Sequence, residues 1–324
     1  MITKLISRAR RIIKQAVSDS RNRTIYHNNE VILINWWSGE DIHQCWFFRF
    51  MQEKRIIIKR PLAICSVFGP YKNITNVSAT HDIIFFIGEE ISRHPEYSSY
   101  CFDITKSLSL GFDQIEHPHY LRFPLWILGI TDPRDSLQKI HQRVVSANNL
   151  GLTQREIFGA MIANHDNGGN LAGIRTKIFN HLKELGTVES CGKLLKNSSR
   201  LQNLFGDDKR KYLSTVKFCI CPENHSSTFY TTEKIFDSLL SGAIPIYCGS
   251  NNLPEPLIIN KKSYILWNNL EDMGNNPIAE ITRLMDCPEY YAEFFTRPRF
   301  KNDSHKIIYQ YFNDLERRIV KLVD

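Results

Sequence analysis

The chain has 324 residues, enough for one large or two medium domains, and its 42% apolar content argues against an intrinsically disordered chain. A formal net charge of +7 favours an acidic partner (phosphate, nucleic acid or anionic lipid) without choosing among them. Eight cysteines with no CxxC pair argue against a zinc site or disulfide framework and make a reducing compartment the default; no run is long enough for a membrane span and no cleavable signal peptide is visible.

Residues 1–29 differ from the rest. Ile2, Leu5, Ile6, Ile12, Ile13 and Val17 alternate with Lys4, Arg8, Arg10, Arg11 and Lys14, the pattern of a basic amphipathic helix. Such a helix either packs on the body of the protein or makes a weak, reversible contact with an anionic membrane. From Val31 the pattern changes to alternating strands and helices. Strands are expected at Val31–Asn35, Arg55–Lys59, Ala63–Phe68 and Asp82–Ile87, with a helix over Ile42–Met51. Residues 91–153 are harder to read: a short strand near Cys101–Ile104, an apolar segment Tyr120–Ile130 broken by Pro124, and a polar stretch Asp132–Asn149 read as helix and linker. Near Glu156 a second α/β series begins. It contains a strand (Phe158–Ala163), a Gly-rich turn (Asn164–Gly169), an amphipathic helix (Asn170–Leu185) bearing Arg175, and a short strand (Val188–Ser190). Apolar strands alternating with helices imply parallel sheets covered on both faces.

The densest signal lies between Val216 and Gly249. An alternating apolar strand leads into the polar loop Pro222–Tyr230, Thr231 or Thr232 caps a helix ended by Gly242, and Ala243–Cys248 forms the next strand. Strand, loop, helix and strand make half of a nucleotide-binding unit, and phosphate sits at the start of such a helix. A strand at Ser263–Trp267, a helix near Pro277–Met285 and a closing helix over His305–Val323 complete the chain. The simplest architecture is two Rossmann-like halves, with segments 1–29, 30–152, 153–300 and 301–324.

With these residues in view the sequence resembles the α1,3-fucosyltransferases, glycosyltransferase family ten, in their bacterial form. The signature is Glu223-Asn224, then Tyr230-Thr231-Thr232-Glu233-Lys234, then Ile244-Pro245-Ile246-Tyr247-Cys248-Gly249. Asn35-Trp36-Trp37, Val67-Phe68-Gly69, Phe86-Ile87-Gly88-Glu89, Tyr120 through Leu125, and Asn164 with Arg175 follow the family's order. Pro222, Thr231 and Cys248 depart from common family residues, as does Glu90, where related enzymes often carry Asn.

The resemblance implies an α/β GT-B fold, two Rossmann-like domains facing each other across a cleft, with 30–152 binding acceptor and 153–300 binding GDP-fucose. It implies inverting transfer of L-fucose to a glycan hydroxyl, usually the 3-OH of an N-acetylglucosamine or glucose unit, on an oligosaccharide, glycolipid or lipopolysaccharide acceptor. Glu89 matches the family's base; as an isolated carboxylate it would read as an exposed loop acid, and its pKa is expected to rise if Glu89 and Glu90 both stay unpaired. Arg175 and Lys234 match the phosphate-binding pair, Glu233 is assigned to the ribose, and Asn224 and Tyr230 complete the nucleotide pocket. Without the resemblance, Arg175 reads as a solvated helix face, Glu233 as a dipole-favouring carboxylate and Asn224 as loop scaffold. Trp36 or Trp37 suits stacking on an acceptor sugar; adjacent strand residues point opposite ways, so one of them belongs to the core. His117-Pro118-His119 mimics a metal-ligand pair. With no Asp-x-Asp motif, the expectation is a reaction without bound cofactor or metal, in a cytoplasmic protein peripheral at most to the inner face of a membrane. An inverting transferase for another nucleotide sugar, and a non-enzymatic polyanion-binding protein, are the rival readings; no aromatic-interleaved basic module supports nucleic acid as partner.

Overall fold

The structure is a computed structural model and describes residues 13–268 and 276–324. Residues 13–21 form helix α1; the basic positions Lys4, Arg8, Arg10 and Arg11 lie outside the described residues. The strands are β1 (Arg23–Tyr26), β2 (Asn29–Ile34), β3 (Leu62–Cys65), β4 (Asp82–Phe86), β5 (Ser107–Gly111), β6 (Tyr120–Arg122), β7 (Ile157–Met161), β8 (Val188–Ser190), β9 (Val216–Ile220), β10 (Ile244–Tyr247) and β11 (Ile265–Leu266). After α1 the helices are α2 (Trp46–Glu53), α3 (Tyr71–Val77), α4 (Trp126–Ile130), α5 (Leu137–Asn148), α6 (Ile174–Lys183), α7 (Arg200–Phe205), α8 (Lys209–Leu213), α9 (Glu233–Ser241), α10 (Pro277–Asp286), α11 (Pro288–Thr296) and α12 (Ser304–Val323). The chain forms two compact units: one takes the residues up to Asp135 together with Gln310–Asp324, the other Ser136–Tyr309. The first break thus precedes the boundary expected at 152–153, and the second falls inside α12.

The first unit is a six-stranded sheet in the order β1-β2-β3-β4-β5-β6, parallel except for β1. Strands with both faces buried explain the unbroken apolar runs at Leu62–Cys65 and Ile83–Phe86. On one face Ile32, Ile34, Ala63, Cys65, Ile83 and Phe85 pack against Tyr97, Tyr100 and Tyr120. Toward the other, Phe47 of α2 lies 5.0 Å from Phe86, and Trp46 stacks on Phe50 and meets Phe312 of α12.

Several expected elements take a different form. Arg55–Lys59 is not a strand: Arg55 adopts φ 51° just after α2, and Ile56 donates back to Met51 O at 3.0 Å, so the segment closes the helix instead. Cys101–Ile104 is a turn, and the strand comes later, at Ser107–Gly111. Its serines obscured it. Ser107 is 5% exposed and its hydroxyl donates to Cys101 O (2.8 Å) and Ile104 O (2.7 Å), so a polar residue serves as core by tying down the turn. The N-terminal segment is not helical throughout, because β1 pairs with β2.

The second unit carries a fully parallel five-stranded sheet in the order β11-β10-β9-β7-β8. From β7 the chain passes through α6 to β8 on one side; β9 lies on β7's other side and continues through α9 to β10. The strand order therefore reverses between β7 and β9. Ligands of open α/β sheets bind outside the carboxyl ends of the strands at such a switch point. Arg175 is carried on the segment after β7, and Glu223 through Lys234 on the segment after β9.

Phe85 is fully buried, with its ring parallel to that of Tyr97 at 5.4 Å. Phe85→Ala should cost about 3–5 kcal/mol, seen as a lower urea midpoint at unchanged m-value.

Candidate active site

After β9 the chain stays attached to the neighbouring strand: Cys221 N–H donates to Ile246 O at 3.1 Å and Glu223 N–H to Cys248 O at 2.9 Å. This carries the Glu223 side chain inward, where it is 0% exposed. A buried carboxylate is costly unless every lone pair is met by donors. Here Thr232 N–H and its hydroxyl each donate at 2.7 Å, and the Lys234 ammonium approaches at 3.2 Å. Lys234 also donates to Thr232 Oγ1 at 2.7 Å. Gly249 makes the space: a Cβ there would lie 2.8 Å from Glu223 Cγ, and its φ of 142° suits glycine.

Glu223 thereby decides how α9 begins. Thr232 is the N-cap residue, as expected for Thr231 or Thr232, but its hydroxyl is spent on Glu223 and makes no cap bond. The first turn of α9 keeps its amides without a side-chain cap, the arrangement that favours an anion. Burial works against the Lys234 ammonium, yet Glu223 and Glu233 overcome it and hold its pKa above the ordinary lysine value. For Glu233 burial raises the pKa, but Lys234 and backbone N–H outweigh it and leave it below the ordinary glutamate value. Lys234 and Glu233 are each about a quarter exposed, with Nζ and Oε1 3.9 Å apart.

On the β7 side, α6 begins at Ile174 rather than Asn170, because Gly173 takes φ 83° and a 3-10 turn spans Gly169–Leu171. Asp166 caps the helix from a distance, accepting from Arg175 N–H (3.1 Å) and Thr176 N–H (2.7 Å). Arg175 is 6% exposed, so it is not the solvated helix residue its position suggests. Its guanidinium donates to His165 O (2.6 Å), Pro222 O (3.4 Å) and the Asn224 side-chain oxygen, all neutral acceptors. Burial pulls its pKa below the ordinary arginine value, against the opposing pull of Glu223 and Asp166. Among the described residues Arg175 is thus a buried cation with no carboxylate in direct contact with its guanidinium, in the electrostatic reach of Glu233 and Lys234 at the start of α9. Asn224 is its hydrogen-bond partner, and Tyr230, 1% exposed, packs in the same loop. The two loops are clasped together: Asn170 Nδ2 donates to Ser226 O (2.9 Å) and Ser226 N–H to Asn170 Oδ1 (2.7 Å). The second unit thus gathers Arg175, Asn224, Tyr230, Glu233 and Lys234 into one region. Glu223, Thr232 and Asp166 were not singled out as site residues; the partners of the two acids lie nine to eleven residues away, a spacing no local pattern marks.

In the first unit Glu89 lies beyond the carboxyl end of β4, three residues after Phe86. The condition of two unpaired carboxylates is not met. Glu89 forms an ion pair with Arg93 at 2.9 Å, and Glu90 accepts from the Ser92 N–H (3.0 Å) and hydroxyl. The reason is local: a 3-10 turn follows at once and brings Ser92 and Arg93 back over the two acids. The tryptophan pair lies past the end of β2, after Asn35 at φ 54°, and the two rings stay 4.8 Å apart edge to face, so strand alternation does not separate them; burial does. Trp36 is 1% exposed and core; Trp37 is partly exposed, stacks toward Phe68 at 4.8 Å, and covers Gly88. A Cβ on Gly88 would meet Trp37 Cη2 at 2.4 Å, so glycine lets the ring lie beside the residue preceding Glu89. Helix α1 braces this turn, with Gln15 donating to Trp36 O (2.9 Å) and the Asp19 carboxylate accepting from Asn35 N–H (3.2 Å). The described part of the N-terminal helix is therefore docked on the body. His117 stacks on Phe102 at 4.0 Å, and among the described residues no group of three His, Cys, Asp or Glu side chains is placed to hold a metal ion.

Comparison with known proteins bears on the same residues. Residues 154–314 match the family described as "Glycosyltransferase family 10 (fucosyltransferase) C-term", a span holding Asp166, Arg175, Glu223, Asn224, Tyr230, Thr232, Glu233 and Lys234. Through that span the chain belongs to glycosyltransferase family 10. The α-(1,3)-fucosyltransferase FucT of Helicobacter pylori is 23% identical over 285 residues, covering 76% of this chain and 54% of its own. The α-(1,3)-fucosyltransferase B of Drosophila melanogaster is 35% identical over 120 residues, 33% of this chain and 26% of its own. The chain thus spans about half the length of the first of these relatives and about a quarter of the second. Among solved structures, an α1,3-fucosyltransferase matches with TM-score 0.57 and 20% identity over 94% of this chain and 96% of its own. Another, solved with GDP-fucose, matches with TM-score 0.54 and 21% identity over 88% and 89%. The fold of this family-10 chain is accordingly the α/β GT-B type of those structures.

Within the cluster at the start of α9, Glu223→Gln removes the charge that holds Lys234 and Thr232. It should destabilise the protein by about 3 kcal/mol, the scale for breaking a largely buried ion pair, read as a lower denaturation midpoint. Glu233, with a folded pKa below its unfolded value, contributes stability that is complete above about pH 4.3 and is lost as pH falls through the folded pKa. Glu233→Gln should therefore flatten the acid side of the stability profile.

Proposed function

We propose that this chain transfers L-fucose from GDP-fucose, with inversion, to a hydroxyl of a glycan acceptor, probed first at the 3-OH of N-acetylglucosamine and glucose. The observation that carries the reading is Arg175: a buried guanidinium, contacted only by neutral oxygens, beside the uncapped amides of α9 at the switch point of a doubly wound sheet. That combination suits the diphosphate of a sugar nucleotide. Its support comes also from the family match over 154–314 and from the relatives' names.

In this reading the second unit binds the donor. Arg175 takes diphosphate oxygens through its planar fork. Lys234, fixed by Glu223, sets a point charge at the start of α9. Glu233 binds ribose hydroxyls, and Asn224 and Tyr230 close the nucleotide pocket. The first unit binds the acceptor, with Trp37 as the aromatic face for a pyranose and Glu89 as the base. Glu89 accepts the proton of the acceptor hydroxyl, that oxygen bonds to the anomeric carbon of fucose, and GDP departs with the electron pair. Arg175 and the α9 amides meet the developing charge on the leaving diphosphate, so the proposed reaction routes no step through a metal. Acceptors of this kind include oligosaccharides, glycolipids and lipopolysaccharide chains. Among the described residues no helix is long and apolar enough to cross a membrane, and a cytoplasmic, at most peripheral, location is part of the proposal.

Glu89→Gln should leave GDP binding within about twofold while transfer falls by at least about 10²-fold, the scale of a lost general base. Arg175→Ala should weaken GDP binding itself. The measurements are calorimetry with GDP and transfer of labelled fucose to a glycan panel, run beside GDP-mannose and UDP-sugars as donors. Turnover of a UDP-sugar in preference to GDP-fucose, or near-normal turnover by Glu89→Gln, would overturn the reading.

A further inference from the structure

The first unit holds a second concentration of charge, which the proposed reaction does not use. At the amino ends of its strands a cavity of about 210 Å³ is lined by Lys106, His119, Arg318 and Lys321, with Thr105 beside them and no carboxylate in its wall. The cations come from three separate elements. Lys106 immediately precedes β5, His119 precedes β6, and Arg318 and Lys321 lie in the last turns of α12. Two are fixed by backbone bonds: Lys106 Nζ donates to Leu322 O at 3.4 Å and Arg318 to Pro118 O at 2.8 Å. Among the described residues none of Lys106, Arg318 and Lys321 forms a salt bridge. Asp82, whose charge reaches Lys106, is itself paired with Arg60 at 3.6 Å. His119 adds a second observation, since its Nδ1 is buried without a hydrogen-bond partner.

Three cations converging on one cavity repel one another, and an anion placed among them turns that repulsion into attraction. The donor set defines the anion: an arginine fork, two ammonium groups, a hydroxyl and an imidazole fit the several oxygens of a phosphate group. The cavity also opens along a groove of about 730 Å³ that shares Pro118 and Arg318 with it and is walled by Tyr120, His117 and Ile115; Glu116 is the one acid in that wall. A phosphate that carries a larger body thus has room beside it. We infer that Lys106, His119, Arg318 and Lys321 form a binding site for a phosphate monoester or diester, separate from the site of transfer. The separation follows from the sheet. Ser107 is level with Ile83 on β4, and Glu89 comes six residues after Ile83, up to about 20 Å along the strand direction.

The test is proton NMR of the full chain. The His119 imidazole resonance is assigned by its loss in His119→Gln, and inorganic phosphate is titrated in. A saturable shift of that resonance is expected, with affinity about tenfold weaker in Lys321→Gln, whose side chain makes no hydrogen bond among the described residues, and in Arg318→Gln. Because the readout is local to His119, phosphate bound at Arg175 does not register. Co-sedimentation with vesicles of phosphatidylglycerol, beside phosphatidylcholine controls, identifies the source. Retention on the anionic vesicles, reduced by Lys321→Gln, marks a lipid headgroup; a phosphate-induced shift without retention marks a soluble phosphate. No shift of His119 with phosphate and no retention on vesicles, or equal responses in wild type and both variants, overturns the site.

Discussion

The site in the second unit depends on one buried charge. Glu223 sits 0% exposed at the exit of β9, and a carboxylate there is stable only if donors surround it. That demand recruits the amide and hydroxyl of Thr232 and the ammonium of Lys234, all nine to eleven residues further on. The loop between is thereby drawn into a fixed path, and the start of α9 is set against the end of β9. With Thr232 occupied, the first turn of α9 has no cap from its N-cap side chain.

The same economy of contacts governs Arg175. Burial is unfavourable for a cation, and this one is held by two carbonyls and an amide oxygen rather than by an acid. Asp166, which lies close enough to matter electrostatically, is occupied in capping α6. The guanidinium is therefore held in one place, as the proposed contact with a leaving diphosphate requires. In the first unit, by contrast, the carboxylate of interest is paired. Arg93 fixes the Glu89 side chain, Glu90 is turned to capping, and Trp37 covers the glycine between them and the strand.

Much of the architecture was legible because parallel strands buried on both faces write themselves as apolar runs. Leu62–Cys65 and Ile83–Phe86 stand out for that reason, while Val216–Ile220 is marked by alternation around Lys217. What escaped has a physical cause in each case. β5 hides behind serines that satisfy a neighbouring turn. Arg55–Lys59 has strand composition but follows a helix too closely to leave it. Helices α7, α8 and α11 have no long periodic stripe to mark them. For Trp36 and Trp37 the expected strand alternation does not apply, because the chain turns at Asn35; the turn that α1 braces buries Trp36 and leaves Trp37 partly exposed beside it.

By itself the sequence determined the α/β class, the order of elements around Val216–Gly249, and the family signature that stretch carries, because local periodicity and a long composite signature survive without any knowledge of distant contacts. Tertiary structure alone decided which charges are paired. Whether Arg175 is solvated or buried, whether Lys234 is free or held, and whether Glu89 stands alone all depend on residues brought together from other elements. So does the basic cavity of Lys106, His119, Arg318 and Lys321, whose members are scattered over more than two hundred positions. Electrostatic interaction depends on distance in space, and spacing along the chain encodes that distance only within a single helix or strand.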